Sequence, residues 1–430
     1  MSLRGASKAT GRFFGLCASW GVRRVASVTT ISRWIKRLGL YKLTRPLRQA
    51  SVIAIIDFSV VIGSKKCLSI IGVEKSVFEE VVRERRPLDF GDVELLHMEL
   101  VESSNAQIVY NALKKAEERV GEIVQTCTDG GSDILAGVRL FQEEVLKNTG
   151  KNFCHCYDIC HKVACLLKSL FEDSPEWIAF TSKAAAVKQQ RLFSKAAYLC
   201  PPNQRSKSRY MNMEELSAWA TVMQSCLGNP QHPDYAMIEE NFKWIRDYER
   251  LIGDLKDCVL VAGIVRHKIR TEGLRLNTYT ELNSQLSFLQ LSDAACQLAG
   301  NILDFVESTT NGLEEDDLLL ASSEIIESLF GKLKNLMDED TKNGFTPFVL
   351  SAAACLGRLD EDTVENALNT VTDDHVKIWA EKNVGLSVYS KRKKLFTQKL
   401  AGKKDSARAV FHKKFGQEST GTSEKKSMAA

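Results

Sequence analysis

The sequence predicts an α/β protein whose βββαβαβα core is interrupted by a long all-helical stretch. Two observations carry this. Five short apolar runs with strand character fall between residues 51 and 157, the later ones alternating with helical periodicity. Residues 175 to about 310 then show no clear strand and are rich in Lys, Gln, Leu and Trp. Strands that alternate with helices imply parallel pairing, whereas the first three runs follow one another closely enough to meander.

The elements follow in order. Ser27 to Gly39 has Ser/Thr caps, apolar Ile31, Trp34, Ile35 and Leu38 at helical spacing, and a stop at Gly39. With a helix over 3–16 and a turn at Gly21 it outlines a helix-turn-helix, with Thr30, Arg33, Lys36 and Arg37 on the side that would face DNA. Strands are predicted over 51–61, 66–73 and 93–101, and a helix over 104–120 with Ile108, Ala112, Ala116 and Val120 on one side. A fourth strand, 122–128, runs into Asp129-Gly-Gly-Ser-Asp and a helix to about 147. A fifth, 152–157, runs into Asp158 and a helix to Phe171. A last strong helix begins near Ser322 or Ser323 and presents Ile326, Leu329, Phe330, Leu333 and Met337 to a core, with short helices to about 390.

Charge divides the chain more sharply than hydropathy. Residues 1–56 hold 11 Lys and Arg and no acid, residues 391–430 hold 12 against 3, and the body between holds 35 against 51. Cationic ends suit a polyanion and an acidic body suits a cation. The Arg- and Ser-rich start also fits a mitochondrial transit peptide; the capped, periodic stretch from Ser27 favours a folded helix. Twelve cysteines spread over 430 residues, without a convincing secretory signal, predict reduced thiols. No apolar run reaches the ~18 residues of a membrane span.

Asp57 and Asp129 each sit at or near the end of a predicted strand, where functional groups gather in α/β sheets. Two carboxylates on adjacent strands repel unless a cation lies between them, and Mg²⁺ prefers such oxygen ligands. Read singly, either is a turn residue, Asp129 before Gly130-Gly131 above all. Glu327, Gly331 and Lys334 line a stripe beside the apolar face of the last helix; a solvated helix edge is the plainer reading, and Glu324 stands one turn earlier. Cys154, Cys156, Cys160 and His161 lack standard zinc spacing and read better as buried thiols and a helix-start histidine. Arg205, Lys207, Arg209 and Tyr210 after Pro201-Pro202 form a basic loop able to clamp phosphate. Trp177, Trp219 and Trp244 read mostly as core.

Asp57, Asp129 and Glu327 on this frame resemble the catalytic triad of DDE transposases, which share the ribonuclease H-like fold. The gaps are 71 and 197 residues, and the long second gap is similar to transposases with an all-helical insertion before the glutamate. Asp158-Ile-Cys-His161 matches their C/D(2)H motif. Residues 53–72, 128–137, 157–168, 201–213 and 322–334 read like one group of bacterial insertion-sequence transposases, and the resemblance covers roughly 27–395. The Tyr-(2)-Arg-(3)-Glu signature of some members is absent: Leu320 and Ser323 occupy those positions.

The resemblance implies two Mg²⁺ or Mn²⁺ ions on Asp57, Asp129 and Glu327, and double-stranded DNA (terminal inverted repeats and target) as partner. It also implies a homodimer or larger assembly, no membrane, and a cytoplasmic, nucleoid-associated protein. Asp158, His161 and Lys334 are expected beside the metal site, the first two positioning the scissile strand. The division is a helix-turn-helix-like arm over 1–48, the core over 49–174, the helical insertion over 175–315, the returning core helix with C-terminal helices over 316–390, and a basic tail over 391–430. A non-cleaving DNA-binding relic and a structure-specific nuclease are the alternatives.

Overall fold

The computed structural model describes residues 3, 5–9, 26–58, 65–150, 152–203, 210, 213–337, 345–385, 391–393 and 395–396. The basic loop residues Arg205, Lys207 and Arg209, most of the basic tail, and residues 10–25, where the turn at Gly21 was expected, lie outside them.

The chain is mixed α/β with one five-stranded sheet and many helices. The strands are β1 (Ala50–Phe58), β2 (Lys66–Glu74), β3 (Glu94–Val101), β4 (Gly121–Thr128) and β5 (Cys154–Tyr157), in the spatial order β3-β2-β1-β4-β5. β2 pairs antiparallel with β1 and β3, while β1, β4 and β5 run parallel. The apolar runs account for this. β1 is buried without a break from Val52 to Ile56, as a strand covered on both faces must be.

Both faces are covered. Ala54, Ile56, Leu68 and Ile70 pack under two helices, Ala106–Val120 and Ser132–Thr149. Ile53, Ile55, Ile71 and Cys127 pack with Ile326, Leu329 and Phe330 of the helix Glu324–Met337, here αE. One element escaped the sequence reading: Lys75–Arg83 is a helix between β2 and β3, with Phe78, Val81 and Val82 buried. Its signal was the pairing Val77, Phe78, Val81, Val82 at one-turn spacing.

The insertion is helical as expected. Among the described residues, six α-helices lie between Pro175 and Thr310, around a core holding Trp177, Phe180, Phe242 and Trp244. Trp219 is half-buried against the same core, so all three tryptophans named above pack rather than stand free.

The N-terminal helix, Val28–Thr44, departs from the recognition-helix expectation. It runs past Gly39, which is no stop. Any Cβ there would collide with the backbone carbonyl of Leu350, so this glycine permits a close crossing of two chain segments. Arg37 donates to the carbonyls of Val371 (Nε, 2.5 Å) and Leu368 (Nη2), at the end of the helix Glu361–Thr370. It fills the orphan acceptors that every helix C-terminus leaves. Lys42 is 1% exposed and donates to the carbonyls of Leu356, Gly357 and Arg358. The helix is therefore docked on C-terminal structure, with two of its cations turned inward. Arg33, 3.7 Å from Asp373, and Lys36 stay at its outer edge. Arg37→Ala is expected to lower unfolding free energy by about 1–3 kcal/mol, read by urea denaturation; an unchanged midpoint would refute the capping role.

Candidate active site

Three aspartates stand in a row at the carboxyl ends of the parallel strands. Ile56 is level with Thr128, and Thr128 with Tyr157. The next residues, Asp57, Asp129 and Asp158, therefore follow one another across β1, β4 and β5, whose neighbours lie ~4.8 Å apart. The Asp158 N–H closes the row by donating to the Thr128 carbonyl at 2.8 Å.

Strand alternation decides which face the carboxylates take. Ile53 and Ile55 point to the face that αE covers, so Asp57 points there too. On β4 the phase is corrected by a bulge. Val52 pairs with Ile123 but Ile53 pairs with Gln125, leaving Val124 extra. The shift brings Gln125, Cys127 and hence Asp129 onto the face of αE.

αE is brought to that face by a run of consecutive anchors. Leu319 and Leu274 exchange two backbone hydrogen bonds of 2.9 Å. The buried Gln125 side chain donates to the Leu320 carbonyl at 2.7 Å and accepts from its N–H at 3.1 Å. The Ile159 N–H donates to the Ala321 carbonyl at 2.9 Å. Asp158 Oδ2 then accepts from the Ser323 N–H at 2.9 Å and from its hydroxyl. Glu327 follows one turn later. The positions where the Tyr and Arg signature is missing thus hold two of these anchors, Leu320 and Ser323.

Asp158 is wholly buried, and its other oxygen caps the helix Ile159–Phe171, here αB, through Cys160 N–H (2.5 Å) and His161 N–H (3.2 Å). The short spacing to His161 signalled this cap, which was read as a strand-positioning pair. The His161 ring lies instead against Tyr157, with centroids 5.9 Å apart. Gln125, Ser323 and Arg270 were missed in the sequence; a lone Gln inside an apolar strand was the available signal for the first.

The electrostatics are those of crowded acids. Burial, then the charge of Asp129, pushes the Asp57 carboxyl up to about 8; the Phe58 N–H opposes this, and Glu327 and Asp158 add to it. Burial, then Asp158, Glu324 and Asp129, raises Glu327 to about 7, against Lys334 two turns along αE. Asp129 Oδ1 accepts from the Gly131 N–H at 3.0 Å, the turn contact that the plainer reading expected. Glu324 is ion-paired with Arg270 and touches the Cys160 thiol. Asp57, Asp129, Asp158 and Glu327 thus share one field, which Lys334 opposes at Glu327. The donor set of hard, crowded oxygens fits Mg²⁺ or Mn²⁺. Among the described residues, however, no three His, Cys, Asp or Glu side chains stand close enough to hold a metal ion as they are. Cys156 and Cys160 are buried in the apolar core. No helix among the described residues is long and apolar enough to cross a membrane.

No family model and no curated protein matches the sequence. Among solved structures the chain is similar to the Drosophila P element transposase strand transfer complex, with a TM-score of 0.37 and 13% identity over 82% of this chain and 90% of that chain. That likeness is too loose to fix a fold or an activity.

Proposed function

We propose that this chain is a DNA transposase of the DDE type on a ribonuclease H-like core, as the sequence motifs suggest. The carrying observation is the register that sets Asp57 beside Asp129 on adjacent parallel strands, with αE anchored over them so that Glu327 shares their field. The strand order β3-β2-β1-β4-β5, with β2 antiparallel, supports the fold reading.

Asp57, Asp129 and Glu327 would hold two Mg²⁺ or Mn²⁺ ions, which when bound supply an activated water or DNA 3′-hydroxyl and stabilise the leaving oxygen. The residues do the rest. Asp158 fixes where αE begins, Lys334 offers a cation to a phosphate on the same stripe, and the buried strands hold the carboxylates at the sheet edge. The basic arm over 1–48 and the tail over 391–430 would hold DNA, with divisions at residues 174, 315 and 390. Arg33 and Lys36 remain the arm residues of this helix facing outward. Element ends and target DNA, a paired-end dimer or larger assembly, and residence with the nucleoid complete the reading.

The test incubates the purified protein with a duplex carrying the inverted repeat that flanks its gene, a target plasmid and Mg²⁺. Joined donor–target product supports a transposase. Cutting without joining identifies a nuclease. Binding without cutting identifies a relic.

A pH dependence follows from the raised acids. Asp57 binds its proton more tightly folded than unfolded, so the metal-free protein is stabilised at low pH and loses that stability as pH rises from about 4 to about 8. Metal binding must expel this proton, so Mg²⁺ is expected to raise Tm more at pH 8 than at pH 6. In Asp57→Asn, which has no proton to lose, the metal-free Tm should overtake wild type as pH rises through this window. A wild-type minus variant difference that stays flat with pH refutes the buried, crowded setting of Asp57.

A further inference from the structure

A cavity of about 430 Å³ opens beside Glu327, between αB, αE and the insertion helix Glu249–Glu272, here αD. One wall is apolar, with Val163 and Leu167 of αB and Tyr210. The other carries Arg266 and Arg270, one turn apart on αD. αD cannot drift from the acids. It ends at Gly273, where a Cβ would stand 2.6 Å from Leu318 Cδ1, and the next residue, Leu274, is the one bridged to Leu319 by two backbone hydrogen bonds.

Each guanidinium rests on a carboxylate. Arg266 Nη2 lies 3.5 Å from Glu214, whose side chain is 67% exposed, a long and solvent-screened pair. Arg270 sits on Glu324. An acidic centre repels a nucleic-acid backbone unless cations intervene, and guanidinium forks match phosphate oxygens better than any other side chain does. The apolar wall and Tyr210 suit a sugar or base face, and the volume is in the range of small-ligand sites.

We infer that this cavity holds one nucleotide of a DNA strand beside the reacting bond, with Arg266 and Arg270 exchanging Glu214 and Glu324 for phosphate. This rests on the transposase reading, and its test is separable from it. The probe is a fluorescein-labelled single-stranded oligonucleotide, read by anisotropy without metal. Arg266→Ala and Arg270→Ala should each weaken binding about tenfold and lower the salt slope by roughly 0.7 for each phosphate no longer neutralised. Arg270→Lys should keep part of the affinity. Glu324→Gln should tighten binding several-fold by freeing Arg270, a gain that a merely structural pair would not give. Unchanged affinity in both alanine variants overturns the inference, as does weaker binding by Glu324→Gln. So does inorganic phosphate alone protecting the protein against heat as well as the oligonucleotide does, which would mark a simple anion site. Glu327→Gln should fail to cut; if it cuts, the transposase reading fails while the binding results of the arginine variants stand.

Discussion

Asp57→Asn, Asp129→Asn and Glu327→Gln are each expected to abolish DNA cleavage and joining while leaving affinity for DNA within a few-fold. Each amide keeps the shape of the side chain and removes a charge that a divalent ion would need. Losing several kcal/mol of transition-state stabilisation lowers the rate by about 10³-fold or more. On the proposed reading affinity survives, because the cations concentrated at the ends of the chain would carry most of it. The readout is product from the flanking-repeat duplex against binding measured on the same preparations. A Glu327→Gln protein that cuts normally removes this residue from the chemistry. Glu324 would then be a poor substitute, since its carboxylate is engaged by Arg270. At pH 8 without metal, Asp57→Asn and Glu327→Gln should also be no less stable than wild type, because each relieves repulsion among crowded acids.

Asp158→Ala is expected to act in the opposite way, chiefly on stability. Its two oxygens serve three backbone N–H groups and the Ser323 hydroxyl, all out of water. Removing them strands several buried donors, at a cost of about 3–5 kcal/mol. Asp158→Asn should recover only part of this, because its amide turns a donor toward the cap or toward Ser323. The measurement is urea denaturation at pH 7, compared with Ser323→Ala, which removes only the hydroxyl hydrogen bond. An Asp158→Ala protein as stable as wild type but inactive would return this residue to direct catalysis, the role its spacing to His161 first suggested.

The sheet was legible because each strand is a short apolar run closed by a turn residue, a pattern that needs no knowledge of distant partners. Asp57 and Asp129 could be singled out for the same reason: local sequence ends a strand and puts a carboxylate there. The anchors of αE were not legible. Gln125 and Leu320 lie 195 residues apart, and nothing local to either says that they meet. Gly39 shows the same limit. A glycine that ends a helix and one that lets a second backbone cross it look alike until Leu350 is in place. The bulge at Val124 is subtler. Counting residues along β4 from Ile123 would send Asp129 to the face away from αE, and only the pairing with β1 corrects the count. The helix Lys75–Arg83 is a different kind of miss, since its apolar stripe was present in the sequence and was passed over between two strands.

The docking of helix Val28–Thr44 onto residues 347–383 has a consequence for how the molecule is made. A ribosome delivers this helix more than three hundred residues before its seat. Through nearly all of synthesis the amphipathic segment has no berth, and Lys42 stays in water because its three carbonyls do not yet exist. Closing so long a loop is slow, and native structure of high contact order forms late. The docking of 28–44 on 347–383 is then a late step, and a chain cut short before residue 345 would leave this helix without its seat.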